Sequence, residues 1–223
     1  MRRTTAQKLL EKVKLDYDEI AEGFSITRQH AWKEFELFEP YITPGSTIAD
    51  IGCGNGRLIR ELKYDETYTG VDVSQNLIEQ AKQLFPHHTF LLGSLLNIPI
   101  PDNSIDTTFA IASLHHIPSD ELREKAVEEL HRITKPGGHV IITVWNLWQK
   151  KYLVPILKAA LKKVIHGPYD MNDLFIPWQN KVYRYYHAFY KSELKKLLAK
   201  KFHIIKLETT ASHNFIAICQ KPE

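Results

Sequence analysis

The chain has 223 residues, 43% of them hydrophobic and 25% charged, which suits one soluble globular unit with a sizeable core and leaves no apolar run near the ~18–20 residues of a membrane span. Its two cysteines, Cys53 and Cys219, lie in apolar stretches, so neither a disulfide framework nor a thiolate metal site is expected, and a cytoplasmic location is. The net charge of +3 hides an asymmetry: residues 1–149 hold 15 Lys/Arg against 21 Asp/Glu, whereas residues 150–206 hold 13 against 3, as if one region faced a polyanion.

The basic start MRRTTAQKLLEKVK is interrupted by charges and no apolar signal core follows, so secretion is not expected. Residues 5–41 read as helical with a break near Gly23-Phe24-Ser25. From residue 46 the pattern alternates: STIADIG as a strand, RLIRELK as a helix, TYTGVDV as a strand, QNLIEQAKQLF as a helix and HTFLLG as a strand. SIDTTFAIAS then reads as a strand, SDELREKAVEELHRIT as a helix starting at Ser119, KPGG (135–138) as its stop, and HVIITVW (139–145) as a strand. Strands alternating with helices at this spacing predict a Rossmann-like, doubly wound, mostly parallel α/β sheet. KFHIIKLETT and HNFIAICQK, joined by a short polar loop, predict a terminal antiparallel hairpin. We therefore expect a single domain: a helical cap (1–45), a ligand-binding core (46–145), an aromatic and basic insertion (146–190), and a terminal helix with hairpin (191–223), the helix capped by Ser192.

The chemistry starts at IADIGCGNG (48–56). A strand ends in Asp50, and Gly52, Gly54 and Gly56, with Asn55 between the last two, let the backbone approach a ligand. The next strand ends in Asp72-Val73, where an acid suits a pair of ribose hydroxyls. The spacing is G-x-G-x-G, not the dinucleotide G-x-G-x-x-G. This combination, with the terminal hairpin, resembles the class I S-adenosylmethionine-dependent methyltransferases over roughly residues 40–223. The resemblance implies S-adenosylmethionine as cofactor and S-adenosylhomocysteine as product. It places the glycines at the methionine part, Asp50 near the ammonium and Asp72 at the ribose. Ser94 stands where many relatives carry an Asp near the adenine amine, Leu95 follows with its amide, and Ala110 to Ser113, with Ile111 and Ala112 between them, close over the cofactor with backbone groups.

Three further segments narrow the resemblance: DYDEIAEGFSITRQHAW (16–32), IASLHHI (111–117) and DLFIPWQNKVYRYYHAFYKSEL (173–194). Together they look like the tRNA wobble-uridine carboxymethyl methyltransferases, found alone or fused to an AlkB-type dioxygenase, with Asp173, Pro177, Trp178, Arg184, Tyr185, Tyr186 and His187 matching. That implies esterification of the carboxylate of 5-carboxymethyluridine in the tRNA anticodon loop, and a possible small activator subunit. A carboxylate acceptor with a pKa near ~4 is already ionised at neutral pH, so positioning replaces base catalysis. Arg28 and Arg184 are the candidates to hold it, each with a structural salt bridge as the alternative role, for Arg184 to Asp173. His116 is a candidate contact, or a structural His capping the next turn. Tyr185, Tyr186 and His187 are candidates to stack on anticodon bases; alternation instead makes Tyr183, Tyr185, His187 and Phe189 one strand face that packs inward, with Arg184 and Tyr186 facing the pocket and Trp145 and Trp178 roofing it. A small-molecule O-, N- or C-methyltransferase and a non-catalytic cofactor-binding scaffold share every cofactor residue and stay open at this point.

Overall fold

The computed structural model describes residues 1–28, 33–63, 67–152, 154, 157, 169–179 and 181–223. Its centre is a seven-stranded sheet of β1 (Thr47–Ile51), β2 (Thr67–Asp72), β3 (Thr89–Leu92), β4 (Ile105–Ile111), β5 (Thr134–Val144), β8 (His203–Thr209) and β9 (Phe215–Gln220). The order is β3-β2-β1-β4-β5-β9-β8, with β1 to β5 parallel and β9 antiparallel to both its neighbours. The doubly wound, mostly parallel sheet with its terminal hairpin is thus the expected one. A separate two-stranded antiparallel sheet, β6 (Asp173–Trp178) and β7 (Val182–His187), lies within the 146–190 stretch.

Alternation along the strands divides the core. Val140, Ile142 and Val144 of β5 face one side, against Ala126, Val127 and Leu130 of helix α3 (Asp120–Ile133) and Leu194 and Leu198 of helix α4 (Lys191–Leu198). Ile141 faces the other side with Ile48, Phe109 and Ile218, covered by Phe35, Phe38 and Ile78 of helix α2 (Gln75–Leu84) and the stretch before β1. Strand order reverses at β1, between β2 and β4, and an open α/β sheet binds its ligand off the carboxyl ends there.

Helix α1 (Arg3–Ile26) lies across that opening, packed on α2 and β7. Asp18 ties it to α2: its Oδ1 accepts from Ser74 Oγ at 2.6 Å and from the Asn76 N–H at 3.2 Å. Several local readings need correction. The helix runs through Gly23 without a break, and short 3-10 turns at Lys33–Leu37 and Glu39–Tyr41 replace helix beyond it. RLIRELK forms a 3-10 stretch at Arg57–Glu61, because left-handed Gly56 (φ 78°) starts it and Leu62 is already extended. Helix α3 ends at Ile133 as KPGG implied, yet those four residues are part of β5 itself. Tyr190, not Ser192, is the N-cap of α4, with the Glu193 carboxylate accepting from its backbone N–H at 3.2 Å. Among the described residues no helix is long and apolar enough to cross a membrane.

Candidate active site

A cleft of about 620 Å³ opens off the ends of β1, β2 and β4, under α1 and beside β7. At its first end the glycine turn demands glycine. A Cβ on Gly52 (φ 83°) would lie 2.5 Å from Ser113 Cβ, so the turn and the β4 exit can only close together without one. Ala112, at φ 52°, holds that exit in a conformation few non-glycine residues adopt. Asp72 braces the turn: Oδ2 accepts from the Gly54 N–H at 2.8 Å and Oδ1 from the Ser74 N–H at 2.9 Å. Asp50 Oδ2 accepts from the Tyr68 hydroxyl at 3.0 Å, while Asp50 Oδ1 is buried with no partner. Burial pushes the Asp50 carboxyl up to about 7, against the Tyr68 hydrogen bond and with help from the Asp72 charge. An orphaned buried carboxylate oxygen beside a cradle with no room for a Cβ fits the ammonium and backbone of an aminoacyl ligand.

The expected cofactor residues Asp50, Gly52, Gly54, Asn55, Asp72, Val73, Ser94, Leu95, Ile111 and Ala112 all line this cleft, whereas Gly56 stands behind it against Phe85 and Phe90. Two side chains have other work. Asn55 Nδ2 donates to Ser25 Oγ at 2.9 Å, pinning the end of α1 to the turn. Ser94 Oγ accepts from the Leu96 N–H at 3.2 Å, so its hydroxyl shapes a turn and is no substitute for an adenine-reading acid.

The other end of the cleft is aromatic and cationic. Tyr186 stacks on Trp145 (centroids 5.0 Å apart, 20° between planes), and its hydroxyl is buried without an aligned hydrogen-bond partner. The Arg184 guanidinium lies 4.6 Å from the Trp178 ring centre and 5.3 Å from that of Tyr186, with Nε unpartnered. Arg28 sits over Phe24 at 4.7 Å and lies 5.8 Å from the ring centre of the same Trp178; burial lowers its pKa, and the Arg184 charge adds to that. Neither arginine has a carboxylate within ion-pair distance among the described residues. The alternative partner Asp173 is taken, its Oδ1 accepting from the Tyr185 hydroxyl at 2.7 Å and its Oδ2 from the Asp170 N–H at 2.8 Å.

Three candidates change role. Tyr185 is buried against Leu9 and Val13 of α1 and outside the cleft. His187 is buried between Asp173 (3.3 Å) and Glu193 (2.7 Å), so neither ring is free to stack on a base. Alternation along β7 puts Tyr185 and His187 on the packed face and Arg184 and Tyr186 toward the pocket, and they lie so; both faces of β7 are covered, one by α1 and one by the cleft wall, and of its residues only Tyr183 is exposed. His116 lines the cleft, but both ring nitrogens are engaged: Nδ1 lies 2.7 Å from the Tyr185 carbonyl oxygen and Nε2 2.8 Å from the Tyr17 hydroxyl. A carbonyl only accepts, so Nδ1 carries the proton and Nε2 accepts from Tyr17. Burial pushes His116 down to about 3, against its hydrogen bond to the Tyr185 backbone, and it is neutral. Neither ring nitrogen is free to contact an acceptor.

Sequence reasoning missed Tyr17 and Phe24 of α1 as cleft residues, along with the Ser113 hydroxyl, buried and without a partner. The available signal was the apolar spacing Leu10, Val13, Tyr17, Phe24 facing one way on α1. The lysines at 158, 162 and 163, part of the basic region, and Trp32 lie outside the described residues. Just after α4, Lys200 pairs with Glu124 and Lys201 with Glu128, while Lys191, Lys195 and Lys196 on the helix are exposed.

Comparison with known proteins agrees with this geometry. The methyltransferase domain family matches residues 49–142. A tRNA (carboxymethyluridine(34)-5-O)-methyltransferase of Schizosaccharomyces pombe is 33% identical over 196 residues, covering 82% of this chain and 84% of the relative. The chain belongs to the tRNA carboxymethyluridine methyltransferase family. Membership brings S-adenosylmethionine as the cofactor. A relative of the same name in Arabidopsis thaliana is 39% identical over 134 residues, 60% of this chain, but the chain covers only 32% of that protein and 20% of a Mus musculus relative. The fold is shared with a methyltransferase from Methanosarcina mazei (TM-score 0.71, 20% identity, 83% of this chain and 97% of that one). It is shared too with a chain of the complex between the Haloferax volcanii Trm112 methyltransferase activator and a methyltransferase (TM-score 0.67, 16% identity, 95% and 98%).

Proposed function

We propose that this chain esterifies the carboxylate of a 5-carboxymethyl-type wobble uridine in tRNA. The observation that carries this reading is the polarity of the cleft: Asp50 and Asp72 at one end, and at the other Arg28 and Arg184, neither with a carboxylate within ion-pair distance among the described residues. S-adenosylmethionine supplies a methyl group on a sulfonium. Gly52, Gly54, Asp50 and Asp72 hold the cofactor with its methionine part in the glycine cradle. Arg184 and Arg28 take one oxygen of the acceptor carboxylate and leave the other free to attack. Trp145, Trp178 and Tyr186 wall off water, so the opposite charges of donor and acceptor attract in a medium of low dielectric. No base is needed, consistent with a His116 whose lone pair is already used.

In this reading the segment 1–45 and the insertion 146–190 hold the acceptor while 46–145 holds the cofactor. The exposed lysines of α4 meet tRNA phosphates, and a small activator subunit is a further partner, supported by the fold shared with the Haloferax volcanii complex. The test is mass spectrometry of tRNA nucleosides after incubation with labelled cofactor and tRNA carrying carboxymethyluridine. A new label on that nucleoside, removed by mild alkali as an ester must be, is expected. No transfer, or an alkali-stable product, overturns the reading.

A further inference from the structure

The Tyr17 hydroxyl stands where two hydrogen-bond demands meet. Arg184 Nη1, which can only donate, lies 3.3 Å away, and His116 Nε2, which can only accept, lies 2.8 Å away. One hydroxyl proton serves His116, and the oxygen lone pairs remain for the guanidinium. Donation therefore runs one way, from Arg184 to Tyr17 to His116 to the Tyr185 carbonyl. The chain leaves β7 at residue 184, crosses α1 and the turn after β4, and returns to β7 at residue 185.

The rings around Arg184 restrain the plane of its guanidinium but not its rotation within that plane; Trp178, Tyr186 and Trp145 offer faces at 4.6, 5.3 and 5.7 Å. Among the described residues Tyr17 supplies its single directional contact. The neighbouring acid on α1, Asp16, gives its carboxylate to Lys12 at 2.7 and 2.8 Å. The anchor is also uncharged, since burial holds the phenol well into its neutral range. A carboxylate in that place would orient Arg184 equally well but would cancel the charge an anionic acceptor needs.

We propose that Tyr17 is a positioning residue for the acceptor. It aims the free N–H groups of Arg184 into the cleft without neutralising them, so the carboxylate site is complete only when α1 is docked on β7. This inference rests on the carboxylate reading and deepens it.

The test compares wild type with Tyr17→Phe, which keeps the ring and removes the hydroxyl. Ring ¹⁵N shifts of His116 in the wild type report the tautomer, calorimetry reports S-adenosylhomocysteine affinity, and steady-state kinetics use tRNA bearing carboxymethyluridine. NMR titration with free 5-carboxymethyluridine, with uridine as control, reports acceptor binding. The proton of His116 is expected on Nδ1. Tyr17→Phe is expected to lower kcat/KM for the acceptor by about tenfold or more, the scale of a lost hydrogen bond to a charged group, with cofactor affinity within about twofold of wild type. The inference is overturned by wild-type acceptor kinetics in the variant, by a proton on Nε2 of His116, or by cofactor affinity falling in step with activity. If Tyr17→Phe is unstable, the wild-type tautomer still decides. A wild type that neither binds nor esterifies the carboxylate nucleoside overturns the carboxylate reading and this inference together; normal esterification by both proteins overturns this inference alone.

Discussion

The two ends of the cleft are made in different ways. At the glycine end, backbone does the holding: one turn with three glycines at positive φ, two N–H groups on Asp72, and a β4 exit pressed against Gly52. At the arginine end, long side chains from three distant segments do it: Tyr17 and Arg28 from the N-terminal stretch, Trp145 after β5, and Arg184 and Tyr186 from β7. The first end is acidic and suits a cation, the second is basic and suits an anion. A reaction that joins a methyl cation equivalent to a carboxylate needs both ends, and needs them apart until the reacting groups meet. It follows that damage should separate cleanly into cofactor defects and acceptor defects.

The largest effect should come from Arg184→Ala. Removing the guanidinium leaves the acceptor oxygen unaimed, and misplacement of reacting groups is costly, so methyl transfer should drop by about 100-fold or more while cofactor affinity stays near wild type. Lysine should rescue poorly for want of the planar fork. Joint loss of thermal stability and cofactor binding would break the division between the two ends. Asp72→Ala is the mirror experiment. It takes away the brace of Gly54 and Ser74, and calorimetry should show cofactor binding weaker by about 1–3 kcal/mol, with the arginine end unaffected in titrations with free carboxymethyluridine.

A pH experiment sharpens the contrast further. The folded carboxyl of Asp50 titrates near 7, above an unfolded value near ~3.9, so between these the cofactor-free protein holds a proton there. A bound ammonium favours the carboxylate. Binding near pH ~6.5 should therefore release a proton, and affinity should rise as pH climbs through about 7. Calorimetry in buffers of differing ionisation enthalpy measures the release directly; Asp50→Asn should abolish it and flatten the profile. Buffer-independent heats in the wild type would mean that Asp50 does not face the ligand's charge.

How much of this was readable in the sequence follows from the same difference. Backbone requirements leave a strict trace, so Asp50, the glycine turn and Asp72 stand at spacings that announce themselves, and the parallel sheet follows from strand and helix alternation. Side-chain constellations leave residue types but not directions. Arg28, Arg184 and Tyr186 could be named, yet Tyr17 looked like one more apolar-face position of α1. Tyr185 and His187 suggested stacking rings by residue type alone, whereas strand alternation already put them on the packed face where they are buried. The RLIRELK segment shows the local limit: its pattern is helical, and a left-handed glycine at its start winds it into a 3-10 stretch instead.

The smallest expected effect concerns what holds the arginine end in place. Buried His187 bridges Asp173 at the start of β6 and Glu193 of α4. Burial alone would lower its pKa, but hydrogen bonds to the two carboxylates outweigh that and raise it, while Glu193 is held below its usual range. A histidine with a raised folded pKa contributes stability fully present below its unfolded value, ~6.5, and lost as pH rises through the folded one. Above pH ~6.5 the β6–β7 hairpin should therefore loosen, while cofactor affinity at the other end rises over its own window near 7. Glu193→Gln isolates the effect. The amide oxygen can keep the Tyr190 N–H, and its NH₂ turns to His187 Nε2, favouring the neutral ring. The melting temperature of the wild type should fall about 2–4 °C further than that of the variant between pH ~6 and ~8.5, the shift that a loss on the order of 1 kcal/mol produces at this chain length. The contribution of Asp50 is common to both proteins and cancels in the difference. Parallel melting curves would show that His187 is neutral throughout, and that packing rather than charge fastens the arginine end.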